Sequence, residues 1–286
     1  MSETKEKKPS RLGGEDNLPL TRWQLLGDTL RFRFWDLFLV SLLTFVFFIP
    51  TFAWLIFASL SGFLDYGNLT SIALTYGVNV LALMIGGLGM AGVFYFSKKL
   101  AWGEGASVPE DFFEGMRKNA PMFLLVYGVI GVLYLLLRLD IASLANDASL
   151  SGVVRGTLEG LSYVLFFLFL LSLLFVQTQT VIYQGDFFHL AWNGFKFLFG
   201  AFLTNVPMFL AYFLLFLCFE FIPYAVASCI SIGLSALFYF GFSAFAFTLY
   251  SDSLFDKSIN PRIYPEIVRK GLRKIALPGD EGKVDL

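Results

Sequence analysis

The stretch 74–96, LTYGVNVLALMIGGLGMAGVFYF, holds no charged residue and is followed at once by Ser97-Lys98-Lys99. As a helix it reaches across a hydrocarbon layer of about 30 Å, and the lysine pair then stops at the head groups. Five further apolar runs accompany it, near 37–59, 122–137, 160–182, 200–219 and 222–250. Inside lipid every backbone N–H and C=O must be paired within the segment or within a closed barrel. Barrel strands alternate in character over about ten residues. These runs are continuous and longer, so the pattern predicts an all-α, polytopic membrane protein with six transmembrane helices.

The basic residues orient the spans. Seven Lys and Arg precede the first run, four lie between the second and third, one between the fourth and fifth, and seven follow the sixth. The three other connections hold only Arg138 and Arg155. Cytoplasmic loops carry the excess of Lys and Arg, so both termini are expected in the cytoplasm. A run longer than a signal-peptide core, preceded by a charged segment, is expected to stay as an anchor.

Composition agrees. The chain is 57% hydrophobic and 15% charged, with a mean hydropathy of +0.69, against roughly 25% charged for soluble domains. The lipid bilayer is therefore the first expected partner. Acidic residues are interleaved with the basic ones, which argues against a nucleic-acid surface. Cys218 and Cys229 read as packing residues, not as a disulfide or a metal pair.

Three parts are expected along the chain: a disordered cytoplasmic N-terminus over 1–18, a transmembrane domain over 19–250, and a cytoplasmic amphipathic tail over 251–286. Residues 20–36 read as an interfacial amphipathic helix running into the first span, which Pro50 should kink. Asn68-Leu-Thr70 matches a glycosylation triplet, taken as coincidence. Ala82, Gly86 and Gly89 share one face of the second span and predict close helix packing there. Ser107-Val-Pro-Glu110 reads as a capping box opening a surface helix to Asn119. A short surface helix is expected in the outer link 140–159. In the tail, Ile263, Ile267, Val268, Leu272, Ile275 and Leu277 alternate with Arg262, Arg269, Lys270, Arg273 and Lys274, the pattern of a basic amphipathic helix.

Two segments echo each other. Asp111-Phe112-Phe113 precedes Asn119-Ala-Pro-Met-Phe-Leu124, and Asp186-Phe187-Phe188 precedes Asn205-Val-Pro-Met-Phe-Leu210. Each reads as a cytoplasmic interfacial helix entering an outward span: Asp caps, the Phe pair sinks into the interface, and Pro lets the chain bend into the bilayer. The spacing differs between the copies, since the Asp pair lies 75 positions apart and the Asn pair 86.

Groups suited to catalysis are scarce. One histidine, His189, follows a capping Asp, and no His/Cys/Asp/Glu set has metal-ligand spacing. No catalytic residue, cofactor or metal is expected, and an enzyme is not. The polar residues inside the runs are uncharged. Interhelical hydrogen bonding is their ordinary role, and Asn79 and Asn205 are the candidates for contact with a ligand.

Gly89-Met-Ala-Gly92, a basic turn with Trp102 and Gly103, and Asp111-Phe-Phe-Glu-Gly-Met-Arg-Lys-Asn119 together resemble the YesL-like family of six-span bacterial membrane proteins. The resemblance covers roughly 25–250 and is best over 84–125. It implies a multi-pass protein of the bacterial cytoplasmic membrane, accessory to carbohydrate uptake, with no assigned catalytic residue. This chain departs from the family in its long charged N-terminus, extended tail and longer first outer loop. The expected function is thus non-enzymatic: an accessory component docking a membrane-protein partner or a second copy of itself. The alternative is a small-solute permease or channel with a midplane site between helices.

Overall fold

The computed structural model describes residues 18–183, 185–208, 210, 230 and 232–273. No strand occurs among them. The helices are α1 (Arg22–Phe32), α2 (Phe34–Leu60), α3 (Leu69–Ala101), α4 (Val108–Asn146), α5 (Gly152–Tyr183), α6 (Phe187–Gly200), α7 (Ile232–Ser258) and the single turn α8 (Asn260–Ile263), with a helical stretch also at 202–208. Five of them, α2, α3, α4, α5 and α7, are long and apolar enough to cross a membrane. The chain is thus an all-helical protein whose long helices have the character of a multi-pass membrane protein. Cys218, Cys229, Tyr212, Glu220, Ser228, Ser231 and half of the 200–219 run lie outside the described residues.

Neighbouring long helices alternate in direction because their links are short. Gly86 faces Phe48, and the Trp54 indole N–H donates to Thr75 O at 2.7 Å, which sets α3 antiparallel to α2. Gly87 beside Tyr127, and Gly131 beside Val80, set α4 antiparallel to α3. Tyr127 meets Gln177 on α5. Phe175 against Phe247, and Tyr183 against Phe255, show that α5 and α7 run the same way.

α3 is the hub. From Met90 to Ser97 every residue is buried, so neighbouring helices enclose this stretch on all sides. Its glycines admit neighbours on opposite faces. A Cβ on Gly86 would lie 2.7 Å from the Phe48 ring, and one on Gly89 3.0 Å from Thr44 O, so this face, with buried Ala82 in the same stripe, packs on α2. A Cβ on Gly87 would lie 2.8 Å from Phe123 O and one on Gly92 2.6 Å from the Phe112 ring, so the other face packs on α4.

Several local expectations are corrected. Residues 20–36 do not form one helix: Arg33 (φ −129°) separates α1 from α2. The surface helix at 111–119 is not a separate element but the first turns of α4, whose 39 residues run unbroken through Pro121. The box at its start is closed by Asp111, not by Glu110: Ser107 N donates to Asp111 Oδ2 at 2.6 Å. The outer link holds no helix of its own, because α4 extends to Asn146 and α5 starts at Gly152. Asn68 instead caps α3, accepting from Thr70 N and Ser71 N. In the tail, α7 runs past residue 250 to Ser258, and among the described residues beyond it, 259–273, the expected basic helix does not form, while the rest of that stretch lies outside the described residues. Pro265 opens a short 3-10 turn, and Arg269 and Gly271 take positive φ, which no helix can accommodate.

α7 contains a π-helical turn, Ser235–Tyr239. The cause is Ser41 of α2. Its hydroxyl accepts from Gly241 N at 2.7 Å and donates to Phe238 O at 3.1 Å, satisfying backbone groups that the widened turn leaves free. Gly241 has Leu37 O immediately against it, so no side chain fits there.

Candidate functional site

Polar chemistry concentrates at the end of the bundle where both ends of the described chain meet. Arg273 N donates to Pro19 O at 3.0 Å, so residues 19 and 273 lie side by side. Arg22, at the start of α1, is buried and bonds in four directions. Its Nη2 meets Asp256 Oδ2 at 3.0 Å, its Nη1 lies 3.7 Å from Asp252 Oδ2, and Nη1 also donates to Lys270 O and Ala101 O. A guanidinium placed here draws α1, α3, α7 and the tail together, since its planar fork serves several acceptors at once. Trp102 Nε1 donates to Asp252 Oδ2 at 3.2 Å. Its ring is flanked by Lys98 and Lys270 at 4.3 and 4.2 Å from the centroid. Asp256 further accepts from Asn260 and from Arg269 N, and Tyr183 OH donates to Asn260 Oδ1 at 2.6 Å, tying in α5.

This cluster was not among the residues singled out from the sequence. Arg22 and the Asp252/Asp256 pair are more than 200 positions apart, and no spacing rule joins them. The only signal was that acids at one end of the chain are matched by a cation beside the first span.

A second polar group lies against it on α3 and α4. Lys99 Nζ meets Asp111 Oδ1 at 2.6 Å, and Glu114 joins it to Lys118. Lys98, Lys99 and Lys118 surround the Tyr95 ring at 5.5–5.6 Å. Among the echo residues, Asp111 and Phe112 are buried here and Phe113 is exposed.

The other copy stands elsewhere. Asp186 caps α6, accepting from Phe188 N and His189 N. α6 lays Leu190, Gly194 and Leu198 on α5, so closely that a Cβ on Gly194 would lie 2.7 Å from Ser172 O. Phe187 is partly buried, while Phe188, Trp192 and Phe199 point outward, 79%, 63% and 66% exposed.

Asn205 is fully engaged. Its Nδ2 donates to Phe197 O and Leu198 O, both at 3.0 Å, closing the last turn of α6, and its Oδ1 accepts from Tyr250 OH at 2.6 Å. Asn79 differs: it is buried between helices, and among the described residues its Oδ1 has no hydrogen-bond partner. The structure does not bring the two together. Asn79 lies in the half of the bundle beyond Gly86, and Asn205 beside the turns of α7 near Tyr250. Thr75 precedes Asn79 by one turn on the α2-facing stripe of α3, and Thr51 opposes them on α2. Both hydroxyls are buried, and among the described residues neither has a hydrogen-bond partner.

Among the described residues no three His, Cys, Asp or Glu side chains are placed to hold a metal ion. No family model, curated protein or solved structure matches the chain.

Proposed function

We propose that this chain is a six-span integral protein of a bacterial cytoplasmic membrane, with both termini in the cytoplasm, that works as a non-enzymatic accessory component by docking another membrane protein. The sixth crossing is supported by direction. α5 and α7 run in parallel, so a chain leaving α5 beside Asn260 must return to the far end before entering α7 at Ile232. The orientation is supported by the lysines and arginines gathered at the end where residues 19 and 273 meet. An accessory role agrees with the resemblance to the YesL-like family.

The observation that carries the docking reading is α6. It is anchored by one narrow stripe, and its outer face is aromatic, with Lys196 (5.7 Å from the Trp192 centroid) beside it. Such a helix sits at the membrane interface, where aromatic rings and a cation suit the head-group layer, and it presents Trp and Phe, residue types enriched at protein interfaces. Purification in mild detergent tests this. The wild type is expected to carry a membrane-protein partner or a second copy, and a Phe188→Ser/Trp192→Ser variant to lose it. A wild-type chain that is always monomeric and partnerless overturns the reading.

One observation favours the permease alternative: three buried oxygens without partners, on Thr51, Thr75 and Asn79. Native proteins leave few such atoms, and a passing polar solute would satisfy them. Solute flux in liposomes holding only this protein, abolished by Asn79→Leu, would support it; absence of flux removes it. Asn205, committed to α6 and Tyr250, has no role in that reading.

A further inference from the structure

A cavity of about 630 Å³ lies between the start of α1, the last turns of α7 and the 268–272 turn. Its walls change character along α7. Leu26, Ala246 and Leu249 line one end; Ser253, Asp256 and Lys257 line the other, up to about 16 Å further along the helix. The polar end is the one nearest the meeting point of residues 19 and 273, hence at head-group depth. Trp23, 72% exposed, stands at the rim, where an interfacial tryptophan belongs.

The polar end carries an excess of cations. Arg22 is met by Asp252 and Asp256. Arg269 bonds through its Nη2 only to the carbonyls of Leu20 and Arg273, and among the described residues neither Arg269 nor Lys257 forms an ion pair. Among the described residues the Nε–H groups of both cavity arginines, Arg22 and Arg269, are buried without an acceptor. Arg269 is also held at φ 56°, the left-handed region that a non-glycine residue rarely adopts. Donors lacking acceptors, beside unpaired positive charge, call for an oxyanion. An apolar compartment continuous with that oxyanion calls for a hydrocarbon chain attached to it.

We propose that this cavity binds one anionic phospholipid of the cytoplasmic leaflet. Its phosphate sits by Lys257 and Arg269, and an acyl chain lies along Leu26, Ala246 and Leu249. The proposal rests on the membrane orientation proposed above and adds a specific lipid to it. A bound lipid would join α1 to α7 at the place where the tail crosses both.

The test is native mass spectrometry of delipidated protein in mild detergent, with phosphatidylglycerol, phosphatidylcholine or glycerol 3-phosphate added. Phosphatidylglycerol is expected to be retained roughly tenfold more than phosphatidylcholine, given the two unpaired cations. Glycerol 3-phosphate alone is not expected to be retained. The variant Lys257→Gln/Arg269→Gln should lower phosphatidylglycerol to the phosphatidylcholine level. Leu249→Trp fills the apolar end, keeps every charge, and should lower retention of both lipids; Lys257→Gln alone serves if the double variant does not fold. Equal retention of the two lipids overturns the proposal, as does retention of phosphatidylglycerol unchanged by both Lys257→Gln and Leu249→Trp, or a soluble phosphate that binds as well as the lipid. A chain that stays dissolved without detergent overturns the membrane reading, whereas a detergent-dependent chain blind to head groups overturns only the lipid site.

Discussion

Residues 111–124 and 186–210 spell nearly the same words and fold differently. In the first, Asp-Phe-Phe and Asn-x-Pro-Met-Phe-Leu lie in one helix that passes through Pro121 without ending. In the second, a 14-residue helix stops at Gly200, Ala201 leaves the helical region at φ −126° and ψ 31°, and helix resumes at 202. The partner decides. The first copy lies along α3, whose Gly87 and Gly92 let α4 approach closely. Contacts on both sides of Pro121, Gly115 against Tyr95 and Phe123 against Phe94, hold the axis continuous. The second copy has 11 more residues between its Asp and Asn and packs on α5 through one small stripe. The extra length is spent as a break, and Asn205 closes the exposed carbonyls.

The motif's weight therefore moves from Asp in the first copy to Asn in the second. The sharpest test is Asp111→Ala. It leaves Lys99 without its nearest acid and Ser107 N without an acceptor at a site where Asp111 is 3% exposed. A loss of about 3 kcal/mol is expected, as for breaking other largely buried ion pairs. Unfolding in detergent measures it, and a loss no greater than that of Asp186→Ala would erase the contrast.

Next in size is Asn205→Leu, which strips two carbonyls of α6 and the Tyr250 hydroxyl of their partner. About 2 kcal/mol is expected for the buried groups left unpaired, and Tyr250→Phe should recover part of the same loss. Asp186→Ala removes a solvent-facing cap and should cost about 1 kcal/mol. The smallest effect is expected of Asn119→Ala. Its Nδ2 bonds only Gly115 O in its own helix, a carbonyl that already serves the backbone ladder, so the loss should stay below about 1 kcal/mol. Were Asn119→Ala as damaging as Asn205→Leu, the two copies would be equivalent after all.

Helical spans were legible in the sequence because lipid imposes one rule on every backbone group. An apolar run of sufficient length leaves the chain few alternatives: α2, α3, α4 and α5 each cover one of the runs, and α7 covers the last from residue 232 onward. The caps at Asn68 and Asp186 were local in the same sense, although Asn68 had read as part of a chance triplet. The turns at the ends of spans were less legible. Whether a surface helix separates from its span depends on what lies beside it, and α3 and α5 are different neighbours. The tail misled for a related reason: alternating charge favours a helix only where no other surface competes, and Pro265 and Gly271 turn these residues back onto α1 and α3.

Composition, run length and the placement of Lys and Arg determine by themselves that this is an all-helical chain suited to a bilayer and which of its ends carry the positive charge, because each is a property of single segments against a uniform solvent. Which polar residues become structural ties and which stay unsatisfied was decided only in three dimensions. Arg22 finds Asp252 and Asp256, Asn205 finds Tyr250, and the buried side-chain oxygens of Thr51, Thr75 and Asn79 find no partner among the described residues. Such pairings depend on distances between segments far apart in the chain, and in a medium that offers few competing partners those distances set the energy.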